Sequence, residues 1–230
     1  MLKRNRQSTD KDERIFPLIF IRLVLFITIL FCIYSPFHWK PGVSAESGKG
    51  LSASKKVPGN NSFNPEYELK RLNDLIEKDK ENEDAFYNRG WIYEYKGDLV
   101  QAEKDYSRAI EINKRYADAY YNRGIIYIGT ERYEQAIKDF SETVKLRPKS
   151  ADAYCNRGNS YFLMGKTDFA FQDYNAALEI DPKDPDLYYN RAIIYITKGE
   201  KSKAMEDFQR AARLGHKLAR KYLEMNAARP

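Results

Sequence analysis

The chain has 230 residues and a formal net charge of +6. Residues 1–45 hold seven Lys/Arg against three Asp/Glu, and the remainder holds 32 against 30, so the excess is largely N-terminal. Over the rest, charges of both signs are interspersed, without the single-sign stripe of a nucleic-acid surface, so no nucleic-acid partner is expected.

In chain order, residues 1–14 are polar and basic, and residues 15–37 are almost wholly apolar. Two readings of this stretch stand side by side. About 20 apolar residues cross a bilayer, and 15–37 suffices as a transmembrane helix if Arg22 extends its head group to the interface. A basic head, a shorter apolar run and small residues before a cut define a signal peptide. Leu23 to Ile33, followed by Val43-Ser44-Ala45, fits that pattern too. The first reading gives a single-pass membrane protein; the second gives an exported protein cleaved near Ala45. In both, the basic residues stay inside and the C-terminal part lies outside the cytosol. Residues 38–64, rich in Ser, Gly, Lys and Asn, read as a flexible linker.

Residues 65–82 read as a leading helix with Leu69, Leu72, Leu75 and Ile76 inward. Beyond it, several residue columns recur every 34 positions. Asn88-Arg89-Gly90, Asn122-Arg123-Gly124, Asn156-Arg157-Gly158 and Asn190-Arg191-Ala192 occupy one slot. Tyr93, Tyr127, Tyr161 and Tyr195 form a second column, and Ala102, Ala136, Ala170 and Ala204 a third. Asp105, Asp139, Asp173 and Asp207 form a fourth, each followed by an aromatic: Tyr106, Phe140, Tyr174 or Phe208. Within a unit, Tyr120, Gly124 and Tyr127, then Tyr133, Ala136, Phe140 and Thr143, are spaced by threes and fours, as on one face of a helix. Gly97-Asp98, Gly129-Thr130-Glu131, Gly165-Lys166 and Gly199-Glu200 separate the two stripes. Pro148 and Pro182 end a unit where a helix must stop. Each unit is therefore an antiparallel helix pair, and a fixed period of this length means a stacked array. Residues 217–230, with Leu218, Tyr222, Leu223 and Met225, read as a capping helix whose outer face carries Arg220, Lys221 and Glu224.

The succession Gly124, Tyr127, Ala136, Phe140, Thr143, Pro148, repeated as Gly158, Tyr161, Ala170, Tyr174, Ala177, Pro182, resembles the tetratricopeptide repeat family. Four units are placed at 83–116, 117–150, 151–184 and 185–218. The resemblance implies an all-α fold, a right-handed superhelical solenoid of antiparallel helix pairs. Two features depart from the family pattern: arginine stands before the glycine, and Lys114 and His216 replace the closing proline.

Chemistry is not expected in the repeats. His38 and His216 have no helical His or Cys partner that would make a metal set, and no phosphate loop or nucleophile set is present. No cofactor, small-molecule substrate or enzyme activity is expected. Cys32 and Cys155 are not expected to pair, and Cys155 reads as a small semi-buried side chain. Arg89, Arg123, Arg157 and Arg191, each sixteen residues before Asp105, Asp139, Asp173 and Asp207, are expected to pair with them.

The resemblance places the first helix of each pair on the concave face. Asn88, Asn122, Asn156 and Asn190 then point into the groove, where an amide can pair with the peptide unit of an extended ligand. This arrangement resembles the asparagine ladder of the O-linked N-acetylglucosamine transferase superhelix. The alternative is that the amides bond to their neighbours. Tyr87, Tyr121, Tyr189 and Trp91 are expected to border the groove, with Asp118 and Asp152 as acids facing a basic peptide. Those acids, together with Asn156 and Asn190, fill the slots where carboxylate-clamp adaptors carry lysine and arginine, so that specialisation is absent. The expected partner is a protein segment, with the membrane a further partner if 15–37 is retained. The competing function is a scaffold that self-associates through the capping helix.

Overall fold

The computed structural model describes residues 63–227. The segments 1–14 and 15–37, the linker 38–64 up to residue 62, Cys32, His38 and residues 228–230 lie outside the described residues. Among the described residues all regular structure is helical. In chain order the helices are α1 (Pro65–Lys78), α2 (Glu83–Tyr95), α3 (Leu99–Ile112), α4 (Ala117–Gly129), α5 (Tyr133–Leu146), α6 (Ala151–Leu163), α7 (Thr167–Ile180), α8 (Pro185–Thr197), α9 (Lys201–Arg213) and α10 (Lys217–Ala227). Helices α2/α3, α4/α5, α6/α7 and α8/α9 pack as pairs, and each pair packs on the next. None of these helices is long and apolar enough to cross a membrane.

Local chemistry sets the helix starts. Asn64, Asn82, Asp98, Ser150 and Asp184 each accept a backbone N–H from the first turn they precede, which satisfies a donor the helix itself cannot. Between the helices of a pair the chain must pass through the left-handed region. Gly97, Gly165 and Gly199 do so at φ of 81°, 75° and 78°, and Glu131 takes the equivalent place at 59°. There its side chain costs roughly 1–2 kcal/mol that glycine avoids.

The seam runs along the alanine and aromatic columns. Ala102, Ala136, Ala170 and Ala204 are wholly buried, as are Tyr106, Phe140 and Phe208. The aromatic ring lies against the first helix of its own pair. A methyl group at Gly124 would stand 2.9 Å from the Phe140 ring, and one at Gly158 2.9 Å from Tyr174. The small-residue column is thus what lets the two helices approach. In the last pair Ala192 fills that slot, itself buried against solvent.

Helix α1 occupies the place of a second helix. Leu72 stands one period before Tyr106 and is 2% exposed. The helix stops at Lys78, short of the expected 82, and residues 79–82 turn back so that Asn82 can cap α2. Leu75, expected inward, is exposed. It stands one period before Ala109, which packs against side chains of α2 and α4. Among the described residues no first helix precedes α1 to cover Leu75.

At the other end α10 takes the place of a first helix. Ala219 is buried, and Tyr222 lies over Phe208 with ring centroids 4.2 Å apart. Leu218 and Met225, read as part of the capping surface, remain exposed, because no second helix follows to cover them among the described residues.

His216, which replaces the closing proline, caps α10. Its Nδ1 accepts the Ala219 N–H at 3.0 Å, its ring stacks on Tyr189 at 4.2 Å, and its Nε2 lies 3.4 Å from Asp186. Burial pushes the imidazole below its ordinary value, against the pull of Asp186. A base whose folded value is depressed is most stabilising above its unfolded value, near 6.5, and loses that contribution as pH falls. Protonation also converts the capping acceptor into a donor facing another donor. We expect the melting temperature of the full chain to fall between about pH 7.5 and about pH 5.5. In His216→Asn, which caps without titrating, that slope should flatten. An unchanged slope would remove His216 as its cause.

Candidate functional site

The arginine column forms the backbone of the site. Arg89, Arg123, Arg157 and Arg191 each place Nε and Nη2 on the two carboxylate oxygens of Asp105, Asp139, Asp173 and Asp207, at 2.7–2.9 Å. The bidentate geometry is the one a planar guanidinium favours. The third nitrogen, Nη1, reaches back to the second helix of the preceding pair, or for Arg89 to α1. It donates to Asn73 (2.7 Å), Ser107 (2.9 Å), Ser141 (3.3 Å) and Asn175 (2.8 Å). Those four residues are themselves spaced by 34, a column that sequence reasoning passed over although its period was visible. Each arginine therefore ties its own pair together and locks it to the one before. The fork holds the Arg89, Arg157 and Arg191 guanidinia above their ordinary values. Burial pushes the Asp139 and Asp173 carboxyls up, with the fork pulling the other way.

The asparagine column lies one residue earlier. Asn122 donates from Nδ2 to the Tyr87 hydroxyl at 3.1 Å and to the Tyr106 hydroxyl at 3.4 Å. Asn156 donates to the Tyr121 hydroxyl at 2.9 Å. Asn190 meets Cys155 Sγ at 3.9 Å and the Asn159 carbonyl oxygen at 3.4 Å. Each of these amides is thus held by the preceding first helix, through the slot occupied in turn by Tyr87, Tyr121 and Cys155. Asn88 stands first in the row and is half-buried. Among the described residues no donor reaches the side-chain oxygen of Asn88, Asn122, Asn156 or Asn190. The amides of Asn122, Asn156 and Asn190 are oriented through their N–H groups and keep their acceptor open.

The residues expected to border this row divide. Tyr87 is half-buried between the rings of Tyr106 and Tyr116, at 5.6 and 5.0 Å. Tyr121 sets its edge on Phe140. Trp91 is half-buried beneath Phe63 and beside Tyr95. Tyr189 does not reach the surface: it is 5% exposed, packed on Phe208 and roofed by His216, and burial pushes its phenol up to about 12. The capping helix, whose position the tyrosine spacing does not reveal, is the cause. Asp118 accepts both Nη1 and Nη2 of Arg147, the latter at 2.6 Å, so its charge is already met. Asp152 is exposed and carries no ion pair among the described residues.

Two buried phenols complete the arrangement. The Tyr106 hydroxyl donates to Glu94 Oε2 at 2.6 Å, and the Tyr174 hydroxyl donates to Asn159 Oδ1 at 2.8 Å. In the second and fourth pairs, where the aromatic is Phe140 or Phe208, the equivalents of both acceptors are isoleucines: Ile125 and Ile128, then Ile193 and Ile196. An acceptor thus appears in these columns only where a hydroxyl needs it, one for each tyrosine, with Trp91 and Phe162 filling the other column of their pairs. Among the described residues no group of His, Cys, Asp and Glu could hold a metal ion.

Family models described as "Tetratricopeptide repeat" match residues 83–116 and 151–184 and residues 106–138 and 173–206, and one described as "TPR repeat" matches 129–165. No curated protein matches the sequence significantly. Among solved structures, a MamA crystal structure aligns with a TM-score of 0.61 at 24% identity, over 66% of this chain and 89% of that one. MamA from Desulfovibrio magneticus RS-1 aligns with a TM-score of 0.62 at 20% identity, over 65% and 85%. Pseudomonas aeruginosa PilF aligns with a TM-score of 0.61 at 20% identity, over 71% and 79%. These likenesses concern the fold. With matches running unbroken across residues 83–206, more than half its length, and helix pairs in the same order, the chain belongs to the tetratricopeptide repeat family.

Proposed function

We propose that this protein, tethered to a membrane or exported, binds an extended segment of a partner protein along the row formed by Asn88, Asn122, Asn156 and Asn190. The repeats are a protein-interaction scaffold by family. One observation carries the finer reading: the amides of Asn122 and Asn156 are pre-oriented by tyrosine hydroxyls of the preceding repeat, with their oxygens left open. A side chain held in one rotamer loses less entropy when a peptide N–H arrives. The placement outside the cytosol rests on residues 15–37 and on the basic segment before them.

The test is selection of a random peptide display library on the full-length chain in detergent. Wild type should enrich extended peptides, and Asn122→Ala with Asn156→Ala should lose them by tenfold or more, about 1.4 kcal/mol. The same pair of changes removes two partly buried hydrogen bonds, so stability should also fall, by about 1–2 kcal/mol. Tyr121→Phe separates the effects, since it breaks one of those bonds and keeps the amide. If Tyr121→Phe and the double asparagine variant lose peptide equally, the column serves packing alone and the proposal fails.

A further inference from the structure

Glu94 is an acid in a column otherwise filled by Ile128, Phe162 and Ile196. It stands seven residues after Tyr87 and three after Trp91, so it shares their face of α2. A continuous polar line connects it to the asparagine row: Asn122 Nδ2 donates to the Tyr106 hydroxyl, and that hydroxyl donates to Glu94 Oε2. The Tyr106 hydroxyl is thereby satisfied on both sides. That task needs an acceptor and nothing more, as Asn159 demonstrates by serving Tyr174 with a neutral amide. The negative charge of Glu94 is surplus to the packing.

Among the described residues the charge is also unmet. Among the described residues no Lys, Arg or His lies within ion-pair distance of Glu94. The carboxylate is half-buried, and burial pushes it above its ordinary range. A carboxylate taken partly out of water without a cation is unfavourable by itself. It becomes favourable when a ligand supplies the cation and excludes the remaining water.

We propose that Glu94 is a subsite for a basic side chain, so that the extended segment bound along the asparagine row carries a lysine or arginine beside the position held by Asn122. This rests on the peptide-binding reading and adds the chemical class of the segment.

Glu94→Gln is a clean probe, because its amide oxygen still accepts from Tyr106 while the charge is gone. The random peptide library is selected on full-length wild type, on Glu94→Gln, and on the Asn122→Ala/Asn156→Ala variant. Wild type should enrich Lys or Arg at one position of the recovered peptides. Glu94→Gln should keep peptide recovery and lose that enrichment. A wild-type-selected peptide should bind Glu94→Gln about tenfold more weakly, and its Lys→norleucine form should bind both proteins alike. The melting temperature of Glu94→Gln should match wild type, which excludes a folding effect. If wild type recovers peptides that depend on the asparagines but shows no basic preference, or if Glu94→Gln keeps that preference, the subsite is refuted and the groove reading stands. If wild type recovers no peptide at all, both are refuted.

Discussion

Asp139→Ala is expected to destabilise the chain by about 3–5 kcal/mol, because it strands a largely buried guanidinium. The Asp139 side chain is 6% exposed and that of Arg123 is 17% exposed, so solvent screens the pair little. For an array of this size the melting temperature should drop by roughly 6–20 °C. Replacing both partners with apolar residues, Arg123→Met with Asp139→Leu, should recover most of the loss, since no charge is then left buried. Ser107→Ala removes only the third bond of Arg123 and should cost about 1 kcal/mol. Urea titration of the three variants against wild type measures each term. A loss below about 1 kcal/mol for Asp139→Ala would show that the pair is effectively exposed and contributes like a surface bridge.

Phe140→Tyr is the second large effect. The position is wholly buried, and neighbouring repeats carry tyrosine there without difficulty. Tyr106 has Glu94 and Tyr174 has Asn159 to accept the hydroxyl proton. Around Phe140 the equivalent places are Ile125 and Ile128. The new hydroxyl finds no acceptor in either place, and an unsatisfied buried donor costs about 1–3 kcal/mol. Adding Ile125→Asn, which copies the third repeat, should restore most of the loss. Tyr174→Phe should cost less, because the Asn159 oxygen retains the Asn190 amide. Thermal melts of the single and double variants decide it. If Phe140→Tyr melts with wild type, or if Ile125→Asn deepens the loss, the pairing rule is wrong.

Much of this is legible in the sequence because the repeat multiplies every signal by four. A helix pair is a local object, set by residues three and four apart. Stacking identical pairs leaves one geometry for the seam, so Gly124 beside Phe140 and Ala136 beneath it need no tertiary information. The juxtaposition of Arg123 with Asp139 follows for the same reason, since sixteen residues is the step from the first helix of a pair to the second. What carries no periodic signal lies in single copies and at the ends. Glu94 breaks a column once, and a lone acid among Ile and Phe gives no periodic signal. Tyr189 matches Tyr87 and Tyr121 in sequence, yet α10 and His216 cover it. Leu75 carries the pattern of an inward residue, but among the described residues no first helix stands before it.

The architecture follows from the residue pattern alone: the 34-residue period, the pairing of helices and the small-residue contact that sets their distance are all properties of short segments repeated in register. Tertiary structure decided which polar groups are spent and which are open. The third nitrogen of each arginine, the amides of Asn122 and Asn156, and the carboxylate of Asp118 all find partners across a repeat boundary or at a helix end, about thirty residues away or at an offset of sixteen into the preceding pair. Hydrogen bonds form only within about 3 Å, and that distance depends on how adjacent repeats are rotated and seated, which no spacing along the chain records.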